Sequence, residues 1–418
     1  MTSSSSTLWS AMLPFSLHGH DDLCAVSARG VRVSFADGRQ LLDGTSGLWN
    51  VNLGYGNEAI ASAIGEALRD ASYLGVHQCE NAYAREAAQA LVELAGPRHF
   101  GRVLYSTSGG AANDLVMKLV RQYHVLGEDR RRNGIVALEG SWHGLTYGAF
   151  ALTGQELGQR TYAIDRRLVL HVPPNDADAL TKLLEEHGDR IGAVIVEPVI
   201  GTGAVALTQE YVARLIDLRK TYKYLLVADE VATGFGRTGN YFASDTWAER
   251  PDILITSKGL TNGTCATAAV LVSRDVVSVF RDADAVVAHA ETQAGTPPSC
   301  AAMIATMAEM GRLGAVAAAA RLGERLDKEL HALVEREPLV AATTGLGCFR
   351  SIRLLNREGQ PLVSSQVPAV VDAVRAVGAI VHAAPDGVQI LPALVYTDDE
   401  LDELLSCIQA GLVAYARS

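Results

Sequence analysis

The sequence predicts an α/β fold built on a doubly wound sheet, and three observations carry that prediction. From residue 58 onward, stretches of helical period alternate with short apolar runs, as in a sheet covered by helices on both faces. The runs at 224–227 and 253–255 are continuously apolar, as parallel strands buried on both sides are. Asp229 and Glu230 follow the first run, and Lys258 follows the second. The carboxyl end of such strands is where open α/β sheets bind ligands.

Taken in order, the chain opens with MTSSSS, a polar start expected to fray. It has no basic segment of the kind that begins a secretion signal. VRVSFADGRQLLDG then reads as two short strands around an Asp-Gly turn. Helical periods are expected at 58–69, 82–94 and 111–123. Strands are expected at 102–105, 135–138, 193–196 and 268–272, which together make one large domain. Beyond about 297 come alanine-rich helices at 299–312 and 315–334, with the Ala/Gly stretch 314–320 a good helix former. A smaller α+β tail follows, ending in a helix at 398–414.

With 418 residues, 48% of them hydrophobic and 20% charged, the chain can bury a full core. Its net charge of −11, with no basic stripe beyond Arg130–Arg132, argues against nucleic acid as a partner. No apolar run is long enough to cross a bilayer, so no membrane partner is expected. The six cysteines are scattered without metal-ligand spacing, so no metal is expected, and reduced thiols in a cytoplasm are.

Lys258 and Asp229 at one sheet edge suit a pyridoxal phosphate site. A lysine amine can condense with the aldehyde, while a carboxylate keeps the pyridine nitrogen protonated so that the ring withdraws electrons from the bond being broken. Taken alone, a loop lysine is more often solvated. The surrounding text is more specific: DEVATGFGRTG followed by SKGLTNG resembles the class III pyridoxal-phosphate aminotransferases, and the resemblance extends over most of the chain. It implies a fold type I enzyme with a seven-stranded, mostly parallel sheet and a smaller α+β domain. The segment 1–54 would join that small domain, 55–297 would form the large coenzyme-binding domain, and 298–418 the small C-terminal one. It also implies a ping-pong reaction between small-molecule amine and carbonyl substrates, catalysed by a homodimer with shared active sites.

Several boxes carry the resemblance residue by residue. STSGGAAND lies at a strand-to-helix junction, where amides freed by Gly109 and Gly110, with Ser108, make an anion site for the coenzyme phosphate. Two departures stand here: Gly110 replaces the usual Ser or Thr, and Ala111 the usual glutamate. EGSWHGLTYG resembles the aromatic-His-Gly box, so Trp142 is expected on one face of the ring and Val231 on the other, with His143 packed nearby rather than acting as the base. Glu197, in the EP-x-x-G box, is expected to support the site from behind. Thr292, in ETQAGTPPSC, matches a threonine that reaches the neighbouring subunit's phosphate. Leu48 and Trp49, in DGTSGLWN, and Phe15, in a Pro-Phe pair, are candidates for the substrate pocket. Trp49 reads equally well as a core residue. GFGRTG lacks the GK[ST] ending of a nucleotide loop.

The arginine that grips an α-carboxylate in relatives acting on amino acids is absent. His382–Pro385 contain none, Gln389 stands at the second usual place, and Thr202 matches the usual gateway glutamate. Arg350, in a strand-like setting, reads as structural. At least one substrate is therefore expected to lack a free α-carboxylate: an ω-amine, a ketone, or a carbonyl on a modified peptide or other natural-product intermediate. Two alternatives stay open on sequence: an aminomutase or racemase on the same scaffold, and a coenzyme-binding protein without catalysis.

Overall fold

The computed structural model describes residues 6–417; the first five residues, most of the expected frayed start, lie outside them. Its centre is a seven-stranded sheet. In chain order the strands are β1 (Phe100–Ser106), β2 (Gly134–Leu138), β3 (Val169–Val172), β4 (Ile191–Val196), β5 (Leu225–Asp229), β6 (Ile253–Thr256) and β7 (Ala268–Ser273), arranged β1-β7-β6-β5-β4-β2-β3. Only β7 runs against its neighbours, β1 and β6. The sheet is thus seven-stranded and mostly parallel, as the resemblance implies.

Every residue of β2, β4, β5, β6 and β7 is buried, the reason these runs are apolar throughout. Their side chains alternate between two cores. Leu225 and Val227 enter the cluster under helix Gly109–Leu126, while Leu226 and Ala228 enter the cluster under helix Gln209–Tyr222. This period of two sends Asp229 and Glu230 to opposite faces. Glu230 accepts from the Thr233 hydroxyl and from the amides of Ala243 and Ser244, which makes it structural. Strand β3 was not expected from the sequence, because VLHV carries His171 and is only half buried.

The two chain ends meet. Strands Ala25–Arg29, Arg32–Phe35 and Gln40–Asp43 form an antiparallel sheet that Ala379–Ile380 extends by parallel pairing. A second sheet joins Val340–Leu346, Phe349–Leu354, Gly387–Ile390 and His382–Ala384. Helix Pro297–Arg312 begins with proline, tolerated in a first turn because its missing N–H would have no partner there. Among the described residues no single helix is long and apolar enough to cross a membrane. Arg237, from GFGRTG, is fully buried and donates to Pro392 O at 2.5 Å and to Asn52 Oδ1 at 2.7 Å, tying both chain ends to the loop after β5.

Candidate active site

At the carboxyl ends of β1, β2, β4, β5 and β6 the loops enclose a cavity of about 480 Å³. One end is a backbone cradle. β1 runs through Ser106 and Thr107 into helix Gly109–Leu126, whose N-cap, Ser108, accepts from Ala111 N at 3.2 Å. The other first-turn amides have no partner within the helix. Gly144 crosses this turn so closely that a Cβ on it would lie 2.5 Å from Gly110 Cα, and its φ is +121°. Thr146 Oγ1 stands 3.6 Å from where a Cβ on Gly110 would be, so a hydroxyl is present beside the position where the resembled family carries one. Glu291 was not foreseen. Its carboxylate accepts from the hydroxyls of Ser106 and Thr107, from Thr107 N at 3.0 Å and from His289 Nε2 at 3.1 Å, fixing the strand end that leads into the cradle.

The other end is acidic. Asp229 is 3% exposed. Its Oδ2 accepts from His143 Nδ1 at 2.8 Å and from Asn113 Nδ2 at 2.9 Å, and its Oδ1 from Val231 N at 3.1 Å. Burial works against a charged His143, but the hydrogen bond and charge of Asp229 outweigh it and hold the imidazole pKa above its ordinary value. Asn113 was also missed, although it sits one turn beyond Gly109, whose carbonyl it also meets at 3.1 Å. The spacing of four, which places both on one helix face, was the available signal.

Lys258 lies between these ends. It follows β6 with φ +48°, a left-handed conformation costly for a lysine and typical of strained functional positions. Its Nζ stands 4.5 Å from the Trp49 ring centroid. Burial lowers its pKa to about 8, against the opposing pull of Glu197 and Asp229. Glu197 is buried too, which raises its pKa to about 7. Its two oxygens accept from Trp142 N at 2.8 Å and Gly201 N at 3.1 Å.

Of the residues singled out from sequence, Ser108, Gly109, Gly110, Trp142, His143, Asp229, Val231, Lys258 and Trp49 all line this cavity, and so does Glu197. Thr292, Phe15 and Leu48 do not. Phe15 is 67% exposed and packs on Trp9 and His18, with centroids at 4.8 and 4.9 Å, in a short helical turn that buries none of its residues. Leu48 is 64% exposed: the left-handed Gly47 (φ +67°) turns Leu48 outward and Trp49 inward. Thr292 is exposed, its carbonyl accepting from the Tyr73 hydroxyl at 3.0 Å. Arg350 is buried against Gly347 O and Asp327, away from the cavity lining, and Gln389 donates to Gly201 O at 2.8 Å.

Comparison with known proteins accounts for this arrangement. The model of the class-III aminotransferase family matches residues 16–412. An uncharacterized aminotransferase of Bacillus subtilis, YhxA, is 31% identical over 96% of this chain and 94% of its own. A taurine–pyruvate aminotransferase of Rhodobacter capsulatus is 30% identical over 93% and 90%. Among solved structures, a PLP-bound amine transaminase from an uncultivated Pseudomonas species superposes with a TM-score of 0.93 at 25% identity, covering 99% of this chain and 100% of its own. An (S)-enantioselective omega-transaminase of Thermomicrobium roseum gives 0.91 at 27% identity, with 98% and 96% covered. The residues present fit the coenzyme these enzymes use. The amide cradle suits a phosphate dianion, and Asp229 is a buried carboxylate with its donors already arranged. Near it, His143 Nε2 and Asn113 Oδ1 are buried polar atoms with no partner among the described residues. Lys258 supplies an amine held close to neutrality. The chain belongs to the class-III aminotransferases: it is a pyridoxal-phosphate-dependent transaminase.

Proposed function

We propose that this transaminase moves an amino group between an amine donor and a ketone or aldehyde acceptor, at least one of which carries no free α-carboxylate. The observation that carries this reading is that Lys258 is the only lysine or arginine lining the cavity among the described residues. Arg237, the nearest buried guanidinium by sequence, is engaged by backbone carbonyls and Asn52. A substrate carboxylate would meet neutral amides and the carboxylate of Glu197, whereas carboxylate recognition ordinarily uses a guanidinium fork. Relatives named as taurine–pyruvate aminotransferases and structural neighbours named as amine transaminases support the same reading.

In this reading Ser108, Gly109 and Gly110 hold the coenzyme phosphate through the helix N-terminus. Trp142 and Val231, which both line the cavity, would cover the faces of the ring. Bound pyridoxal phosphate supplies an aldehyde for the lysine and a ring that withdraws electrons from the substrate carbon. Asp229, oriented by His143 and Asn113, keeps a proton on the ring nitrogen. Lys258 Nζ takes the proton from the substrate carbon and returns it on the coenzyme side, a task for which a pKa near the working pH is favourable. Glu197 holds the Trp142 backbone and stabilises the charged form of Lys258. Donor and acceptor would occupy the one cavity in turn, with Lys258 serving both halves of the reaction.

A second copy of the chain completes the site in this proposal. Thr292, exposed here, would serve the partner's phosphate, and the exposed apolar run of Leu8, Trp9, Met12 and Phe15 would be covered in the same contact. Carbonyls on larger molecules, a modified peptide included, fall within the acceptor range.

The test is a scan of amines against the holoenzyme, following the visible spectrum of the bound coenzyme, with ketones and keto acids then offered as acceptors. Spectral change with simple amines and turnover with ketones is the expected result. Fast half-reactions with glutamate and aspartate alone, with amines and ketones inert, would overturn the reading.

A further inference from the structure

Ser106 ends β1, and Thr107 separates it from the helix N-cap, Ser108. Both residues are bound by a carboxylate that arrives from a loop 184 positions beyond Thr107. Glu291 Oε1 accepts from the Ser106 hydroxyl and from His289 Nε2 at 3.1 Å. Its Oε2 accepts from the Thr107 hydroxyl and from Thr107 N at 3.0 Å. Burial works against a charge on Glu291, but these donors outweigh it and hold its pKa below the ordinary carboxylate value, so the residue is an anion at neutral pH. Thr107 lines the coenzyme cavity, whereas Glu291 borders a second cavity of about 1240 Å³. Glu291 therefore acts on the coenzyme cavity through the residue it holds.

A threonine has two donors, its backbone N–H and its hydroxyl, and here Glu291 takes both. Thr107 is left with acceptor lone pairs alone to present to an anion. One residue further on the pattern reverses. Ser108 Oγ accepts from Ala111 N at 3.2 Å, which leaves its own proton free among the described residues. Gly109 and Gly110 then open a helix whose first-turn amides have no partner within it. The junction from Ser106 to Gly110 thus holds two sets of donors able to seat an anion, and a carboxylate of the chain already occupies the first.

We propose that Glu291 is a positioning residue that fixes where along this junction the coenzyme phosphate sits: it occupies the donors of Thr107 and repels a second anion from them, leaving the turn Ser108–Gly110 as the seat. This rests on the reading of that turn as the phosphate cradle and adds what sets the phosphate's register on it. Successive residues of an extended chain are about 3.3 Å apart, so an anion drawn one residue back toward the strand would carry its aldehyde away from Lys258 by a comparable distance. A misplacement of about 1 Å is enough to slow a reaction roughly a hundredfold. The charge of Glu291 weakens the overall attraction for a dianion, so its effect is on the place of binding rather than on its strength.

The experiment uses the full-length, coenzyme-free protein and two aldehydes, pyridoxal phosphate and pyridoxal, which differ only in the phosphate. The quantity read is the ratio of their second-order rate constants for capture by Lys258. Capture of pyridoxal on the same sample corrects for any loss of folding or of lysine reactivity. The parent should favour pyridoxal phosphate, and Glu291→Ala should cut that advantage by about tenfold. Inorganic phosphate, measured as a competitor of capture, should bind the variant at least as tightly as the parent, because the donors of Thr107 are then added to the site. Adding Thr107→Val to Glu291→Ala removes the hydroxyl of the competing seat and should recover part of the lost advantage. The assignment of Glu291 falls, with the cradle left standing, if Glu291→Ala keeps the parental advantage, if phosphate binding is lost in step with it, or if Thr107→Val recovers nothing. If the parent captures both aldehydes equally fast, the cradle reading falls as well.

Discussion

The backbone N–H of Trp142 donates to Glu197 Oε2 at 2.8 Å, so the loop carrying the aromatic on one side of the cavity is held by the same carboxylate whose charge raises the Lys258 pKa. Two strand ends, those of β2 and β4, thereby act on one amine. Burial lowers the Lys258 pKa to about 8 and Glu197 opposes the lowering. In coenzyme-free protein, the rate at which Lys258 captures the aldehyde of added pyridoxal phosphate should rise with pH around a midpoint near 8, well below that of a free lysine. Glu197→Gln removes a charge that favours the protonated amine, so its midpoint should move to lower pH. A stopped-flow pH profile of both proteins checks the sign.

Lys258→Ala should remove turnover by at least roughly 10⁴-fold, because in the proposed reading the covalent anchor and the proton carrier would be lost together. It should also remove the visible absorbance that reports covalent attachment, while leaving coenzyme free to bind through the cradle. Turnover at the parental rate would refute the role given to Lys258.

Asp229→Asn keeps the shape of the side chain but removes its charge from beneath His143 and Asn113. In the proposed reading the ring nitrogen would then lose the partner that keeps it protonated. Turnover should fall by roughly 10²–10³-fold with coenzyme still bound, the scale expected when one preorganised electrostatic group is removed. Steady-state kinetics alongside coenzyme quantification separates this from simple loss of the cofactor.

At Gly144 the added methyl of alanine would lie 2.5 Å from Gly110 Cα, and the backbone φ of +121° is itself unfavourable for a side chain. The contact is backbone against backbone, so neither partner can rotate away. Gly144→Ala should therefore open the cradle and weaken coenzyme binding by about tenfold or more. Titration of the coenzyme-free protein with pyridoxal phosphate measures this without reference to activity.

Arg237→Met tests the link between the chain ends and the large sheet. Burial lowers the Arg237 pKa to about 10, and its guanidinium bonds to carbonyl and amide oxygens. Losing it leaves Pro392 O and Asn52 Oδ1 without donors in the interior, at about 1–3 kcal/mol each. Thermal unfolding of the holoenzyme should move to lower temperature, with the active-site spectrum of the folded protein little changed.

The central sheet was legible because its strands are buried on both faces, which leaves an unmistakable apolar run at 135–138, 193–196, 224–227 and 253–255. β3 escaped because it lies at the sheet's rim, where a half-buried polar residue, His171, interrupts the apolar run. Asp229 and Lys258 were legible for a related reason: each closely follows such a run, so chain continuity fixes which edge it occupies, while the Gly109–Gly110 turn was legible from its place between the partly buried β1 and a helix. Gly47 was equally local in its effect, yet its left-handed turn could not be read from GLW alone, and of the two pocket candidates Leu48 and Trp49 only Trp49 lines the cavity.

What the sequence alone determined, then, is which side chains stand at the strand ends, since that needs only period and burial along one stretch. What meets what was decided by the tertiary structure. Glu291 reaches Thr107 from a loop 184 positions away, His143 meets Asp229 from 86 away, and His382, on a strand of the C-terminal sheet, meets Trp49 at the end of a short helix near the N-terminus. Such pairs leave no local period. They arise from the geometry of the folded sheet, which packs the loops at its carboxyl edge against one another.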